Sequence, residues 1–293
     1  MISLTAAMAA SRLAGDAALF FLFGGSGMMA LARTTVQASF NRRAVHLAQC
    51  WAASIALLAL LSLICLQLVS VGDGWSSALD ISLLKIVLFQ TEFGQVWLVR
   101  LLFVVATLIA VLAARQNLVI AAWAGIALAL TALAGHAAMH EGWLGIAMRL
   151  SQALHVVCAG AWVGSLVPLV GLLRAMKHAD LREAAGHALR RFSLFGHFAV
   201  AGVLLTGVTN TFFVLGQWPL HWHSPYQALL GLKICLALAM VLMAVSNRYL
   251  WVPRFSGKPD LAARALVRGT LGELTFAIIV LALVSVLGLL EPV

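Results

Sequence analysis

Imidazole, thioether and thiol side chains fall close together at two places in the sequence, both in apolar surroundings. In Gly135-His136-Ala-Ala-Met139-His140 the i, i+4 spacing puts both imidazoles on one helical face, with Met139 one step round. Nitrogen and soft sulfur donors together suit copper, in either oxidation state, better than magnesium, calcium or manganese. For Met139 and His140 the alternative is an interfacial residue of no chemical consequence. His155 is followed one turn later by Cys158, in a stretch otherwise made of Ala, Val, Gly and Trp. An ionisable side chain inside such a run is costly to bury and is therefore a functional candidate; a neutral histidine bonded to a neighbouring helix is the alternative.

A weaker candidate is His221-Trp222-His223, where alternate residues of an extended loop could reach one metal, and where a solvated loop accounts for the pattern equally well. His178 and His187 stand among Arg and Asp and read as a solvated face, and His197 stays undecided. Three charges interrupt apolar segments. Asp16 and Arg100 could pair across helices as a structural bridge, because either alone would be an uncompensated charge in low dielectric. Glu273 could likewise meet Arg248 or Arg268. Cys50, Cys65, Cys158 and Cys235 form no Cys-x-x-Cys pair, so neither a disulfide framework nor a thiolate zinc site is indicated.

The elements that must position these groups are membrane helices. Of 293 residues, 63% are hydrophobic and 10% charged, where a soluble domain carries roughly a quarter charged residues. Mean hydropathy is +1.01. Apolar stretches of about 20 residues, each long enough to cross roughly 30 Å of hydrocarbon, recur along the chain. Their Leu, Ala and Val runs lack the alternation of a barrel strand. The expected fold is all-α, a polytopic bundle of about eight transmembrane helices forming one integral membrane domain over residues 1–293. The span centres lie in residues 12–32, 47–70, 96–114, 117–140, 145–173, 192–216, 226–249 and 269–290. The first stretch lacks a basic leader and a cleavage site, and is expected to be a retained helix. The connections are too short for a soluble catalytic domain, so no enzymatic role is assigned.

Lys and Arg number 19 against 10 Asp and Glu, a net +9. Most of this charge sits in alternate connections: around Arg42 and Arg43, at Arg115, from Arg174 to Arg191, and from Arg248 to Arg268. That distribution is a cytoplasmic signature and speaks against a nucleic-acid footprint. Both termini are then expected to be periplasmic, with 71–95 the longest external loop and 79–89 an amphipathic surface helix. Trp75, Trp97, Trp143, Trp218 and Trp222 are expected to form an outer aromatic belt.

Several motifs in order resemble those of the copper resistance D (CopD) family of bacterial inner-membrane proteins. They are Thr91-Glu-Phe93-Gly94-Gln-Val-Trp97-Leu-Val-Arg100, Gly135-His136-Ala, His155-Val-Val-Cys-Ala-Gly160-Ala-Trp162-Val-Gly164, Arg191-Phe192-Ser193 with Thr206-Gly207, Pro225-Tyr226 with Leu230 and Lys233, Asn247-Arg248, and Arg268 with Glu273. They cover about 90–290, and Ser165 stands where relatives have a second glycine after Trp-x-Gly. The resemblance implies an inner (plasma) membrane protein of copper homeostasis and resistance that moves periplasmic copper inward. It implies copper at His136 and His155 and, beside the lipid bilayer, a separate periplasmic CopC-type partner.

Three functions fit these residues. The first is a copper permease without an ATPase, since no Walker-type loop is present. The second is a b-type electron carrier in which His136 and His155 ligate one haem. The third is a copper-binding scaffold or sensor that transports nothing.

Overall fold

The computed structural model describes residues 3–32, 40–134, 142–176, 182–219 and 222–292. Among these, all regular structure is helical. We number the helices α1 (Leu4–Leu31), α2 (Arg42–Val71), α3 (Ile81–Gln90), α4 (Glu92–Leu112), α5 (Asn117–Leu133), α6 (Gly142–Ala175), α7 (Arg182–Leu215), α8 (Pro225–Trp251) and α9 (Pro259–Leu287).

Local signals set several starts. Ser3, Asn41, Asp80, Thr91 and Ser224 each accept a hydrogen bond from a backbone N–H of the first turn that follows, satisfying a donor that has no intrahelical partner. Pro225 and Pro259 occupy first-turn positions, where no N–H is missed. The Asp80 carboxyl is held below the usual carboxylate range by the Ser82 hydroxyl and by the N–H groups of Leu83 and Ser82. The helix it caps, α3, overlaps the segment 79–89 expected to be helical.

Among the described residues, seven helices are long and apolar enough to cross a membrane. The expected span at 117–140 is represented by α5, 17 residues whose last turn tightens to 3-10 geometry; residues 135–140 lie outside the described set. At 1.5 Å per residue α5 is about 25 Å long, a little short of the hydrocarbon thickness. Helix α9 begins at Pro259, ten residues before the start of the expected span at 269–290, which moves Glu273 from near a helix end to mid-helix.

The core forms two four-helix groups. Ala18, Leu22, Ala53, Leu60, Val104 and Leu128 join α1, α2, α4 and α5. Leu166, Leu172, Leu189, Val203, Met240 and Ala277 join α6 to α9. The outward positions are equally apolar: Trp51, Leu58, Leu102, Leu205, Leu242 and Ile278 are all exposed, as lipid contact requires and water would penalise. Of the expected aromatic belt, Trp75, Trp143, Trp218 and Trp222 are exposed, but Trp97 is 5% exposed. It packs on Phe93, with ring centroids 4.4 Å apart. Trp97 is a core residue because the α3–α4 corner folds back over it.

The two groups are joined where α1 crosses α6. A π-helical turn at Phe21–Gly25 presents Gly24 to Gly160 and Gly164 so closely that a Cβ on Gly24 would strike the Gly160 carbonyl, and one on Gly164 the Phe20 carbonyl. The spacing Gly160-x-x-x-Gly164 is the small-residue spacing that lets membrane helices approach backbone to backbone. Here the obstacle is backbone, which cannot rotate away. Gly164→Val will therefore cost about 1–3 kcal/mol or more and lower the monodisperse peak in fluorescence-detected size-exclusion chromatography; an unchanged peak would refute this crossing.

Candidate functional site

Between the two groups lies a cavity of about 340 Å³, at the end of the bundle away from the arginine-rich connections. His155, halfway along α6, is on its wall. Helices α6 and α7 run antiparallel, and steps of three residues on one meet steps of four on the other. Asn210 Nδ2 donates to Gln152 Oε1 at 2.8 Å, His155 Nδ1 meets Thr206 Oγ1 at 2.9 Å, and Cys158 Sγ abuts Gly202.

The central rung orients the His155 ring. The Thr206 hydroxyl donates to the Gly202 carbonyl, His155 Nδ1 meets the same hydroxyl oxygen, and the Val203 backbone also bonds the imidazole. With the proton on Nδ1, Nε2 carries the lone pair. A bond at one ring nitrogen that orients the imidazole and leaves the other nitrogen as donor is the usual arrangement of a metal-binding histidine.

The other expected ligands divide. His136, Met139, His140 and His221 lie outside the described residues. Cys158 is beside His155 in sequence, but its sulfur is turned to Gly202 and does not line the cavity. His223 is exposed in the turn before α8. Among the described residues no group of three or more His, Cys, Asp or Glu could hold a metal ion. Two thioethers do reach the cavity wall, Met148 and Met240. Met148 had a signal in the sequence, since it precedes His155 by seven residues and so shares its helical face.

Asp16 and Arg100 line the same cavity and form a salt bridge, Arg100 Nη2 to Asp16 Oδ1 at 3.4 Å, with the arginine side chain 11% and the aspartate 27% exposed. Arg12 stands beside them on α1, donating from Nη1 to the Gly288 carbonyl at 2.9 Å. Lys233 of α8 projects to the cavity near His155. Sequence reasoning placed neither Arg12 nor Lys233 in a site.

A second cavity, of about 260 Å³, opens toward the arginine-rich end and is lined by Ser193, His197, Asn247, Arg248, Tyr249 and Glu273 among others. His197 Nε2 lies 3.1 Å from the Tyr249 hydroxyl. Trp162, 4% exposed, lines both cavities and forms the partition. Glu273 is 3% exposed. It accepts from Asn247 Nδ2 at 2.8 Å and from the Trp162 indole, and does not pair with Arg248 or Arg268 as the sequence suggested. Arg248 belongs to the adjoining π-helical turn Asn247–Trp251 and lines the same cavity, but the groups that reach the carboxylate are the Asn247 amide and the Trp162 indole. Glu273→Leu will orphan both donors, at about 1–3 kcal/mol each, and lower the melting temperature of the detergent-purified protein more than Glu273→Gln, which retains an acceptor. Equal melting of the two variants would remove this role.

Residues 1–146 match the family described as copper resistance protein D-like, N-terminal domain, and residues 186–287 match copper resistance protein D. The chain is 34% identical over 264 residues to the inner membrane protein YebZ of Escherichia coli (strain K12), covering 89% of this chain and 90% of that protein. It is 32% identical over 216 residues to copper resistance protein D of Pseudomonas syringae pv. tomato, covering 69% and 70%. With copper transport protein CutJ of Bacillus subtilis (strain 168) it shares 33% over 186 residues, 59% of this chain but 34% of that longer protein. No solved structure matches the chain.

Proposed function

This chain belongs to the copper resistance protein D family, and from that membership and the geometry of the cavity we propose that it is a permease taking copper from the periplasmic face toward the cytoplasm. It is a multi-pass inner-membrane protein with a role in copper homeostasis. Copper is its cargo, and the observation that carries the reading is the His155 imidazole, oriented by Thr206, on the wall of a cavity inside the bundle.

Copper entering the bundle must exchange water for fixed ligands, and neutral imidazoles and thioethers provide these without adding negative charge to the hydrocarbon layer. His136 is the outer ligand in this reading and His155 the inner one, with Met148 and Met240 as further soft donors on the wall. Met139 and His140 extend the set outward. Cys158 is held in reserve against Gly202, and the His221 and His223 loop is a secondary entry site. Onward passage leads past the Trp162 partition, where Glu273 is the acidic group, to the second cavity and the arginine-rich face. A soluble CopC-type protein would deliver copper from the periplasm.

Uptake of copper into proteoliposomes tests the reading: wild type accumulates the ion and His155→Ala does not. Binding without uptake in the wild type would make the protein a scaffold or sensor. The same preparation should show no Soret band; a Soret band bleached by His155→Ala would replace copper with haem b. Orientation is tested by labelling. Cysteines at Asp80 and His223 should react with an impermeant thiol reagent on intact spheroplasts and one at Lys177 should not. Reaction at Lys177 alone would invert the topology and the direction of transport.

A further inference from the structure

Helices α7 and α8 follow one another in the chain but do not pack along their lengths; α7 is held against α6, and α8 against α9. Between them lies the second cavity, an open furrow floored by Leu166, Leu169 and Leu173 of α6. Val200 and Leu204 of α7 and Val241 and Val245 of α8 form its sides. Leu204 is 37% and Val245 47% exposed, so the furrow faces outward from the bundle. Apolar side chains of this size are costly to leave in water, and in a spanning segment a hydrocarbon chain covers them. At the arginine-rich end the furrow changes character. The last turn of α8 is π-helical over Asn247–Trp251, and three consecutive residues, Asn247, Arg248 and Tyr249, line the cavity together with Ser193 and His197 of α7. A regular α-helix turns about 100° per residue and spreads three consecutive side chains over more than half its circumference; wider π turns recur at functional sites. His197 Nε2 lies 3.1 Å from the Tyr249 hydroxyl, a tie between α7 and α8 at the end of the furrow. The carboxylate of the inner wall, Glu273, is turned to Asn247 and Trp162. The two connections that flank this end, 174–191 and 248–268, carry ten Lys or Arg against three Asp or Glu over their whole sequence.

We propose that the furrow between α7 and α8 binds one anionic phospholipid, with an acyl chain along the Leu and Val lining and the phosphate at Arg248, beside Ser193 and the His197–Tyr249 tie. Basic pockets between membrane helices take anionic headgroups, and a guanidinium presents paired N–H donors to phosphate oxygens. A zwitterionic lipid fits the apolar furrow equally well but brings a second cation to a face already rich in positive charge. Headgroup charge, not chain, therefore decides which lipid stays. The bound chain closes the side of the second cavity toward the hydrocarbon and leaves the inner wall, with Thr270 and Glu273, to the interior of the bundle. Lipid binding here is independent of whether copper passes the Trp162 partition.

Native mass spectrometry of the delipidated full-length protein in detergent, titrated with phosphatidylglycerol or phosphatidylcholine of identical acyl chains, tests the site. Wild type should retain a single phosphatidylglycerol at concentrations roughly 10-fold below those needed for phosphatidylcholine. Arg248→Gln should weaken phosphatidylglycerol binding by roughly 10-fold and leave phosphatidylcholine unchanged. Arg248→Lys, which keeps the charge without the planar fork, should restore part of the difference. Arg115→Gln, at the same end of the bundle but outside the furrow, should behave as wild type. Ala201→Trp, which fills the furrow from its exposed α7 wall, should displace both lipids. Equal retention of the two lipids by the wild type overturns the proposal without needing any variant to fold, because it leaves an annular chain with no headgroup recognition. So does unchanged affinity in Arg248→Gln, so does an equal loss in Arg115→Gln, and so does a dimer peak that excludes lipid, which would assign the furrow to a second copy of the chain.

Discussion

Replacing His155 with alanine will abolish tight copper binding by the purified protein while leaving its folded yield close to that of the wild type. Folding survives because the ring's structural bond is cheap to lose: Thr206 keeps its own bond to the Gly202 carbonyl, and the vacated space adjoins an existing cavity that water can enter. Binding does not survive, because the imidazole is the described nitrogen donor on that wall. Thr206→Val separates orientation from ligation. It removes the hydroxyl that bonds Nδ1 and should weaken copper binding by roughly 10- to 100-fold, the usual cost of losing the group that orients a ligand. His136→Ala is expected to match His155→Ala, and His178→Ala to behave as wild type. Copper titration with a competing chelator reads all four. Full affinity in both His136→Ala and His155→Ala would displace the site and direct attention to His221 and His223.

The second large effect is in the charged cluster on α1 and α4. Asp16→Leu will be among the most damaging single substitutions, since it leaves Arg12 and Arg100 facing one another without the carboxylate between them. Breaking a buried pair by removing one partner costs about 3–5 kcal/mol. Arg100→Leu will be milder, because Arg12 remains near Asp16. The double variant Asp16→Leu/Arg100→Leu should recover part of the yield lost in Asp16→Leu, as removal of both members leaves one fewer uncompensated charge. Monodisperse yield and melting temperature across the cycle measure the coupling. If the double variant is as poor as the sum of the singles, the bridge has no energetic role.

Much of the architecture is legible in composition. Long runs of Leu, Ala and Val can meet the hydrogen-bonding demand of a backbone in hydrocarbon only as helices, and N-caps such as Asp80 and Thr91 mark where surface and spanning segments begin. The depth of a residue is less legible. Apolar periodicity does not distinguish a lipid-facing position from a buried one when both environments are apolar, so Trp97 reads as part of an interfacial belt and lies in the core. Glu273 reads as an arginine's partner, but across the helices the Asn247 amide reaches it instead.

Within the site, residue types alone identify His155 as a ligand candidate, because an imidazole within an Ala, Val and Gly stretch is costly to bury unless it holds a hydrogen-bond partner or an ion. They also identify Asp16 and Arg100 as charges needing compensation. What the tertiary structure decided was which groups share a space. Thr206, more than 50 residues away in sequence, bonds His155 Nδ1 and orients the ring; Cys158 packs against Gly202 and not on the cavity wall; and Gly160 and Gly164, prominent in the motif, serve a helix crossing with Gly24. Arg12 and Lys233 come from helices at opposite ends of the chain and converge on one cavity. The physical reason is that charge compensation and ligand geometry are properties of distance across helices, and a sequence records distance only along one.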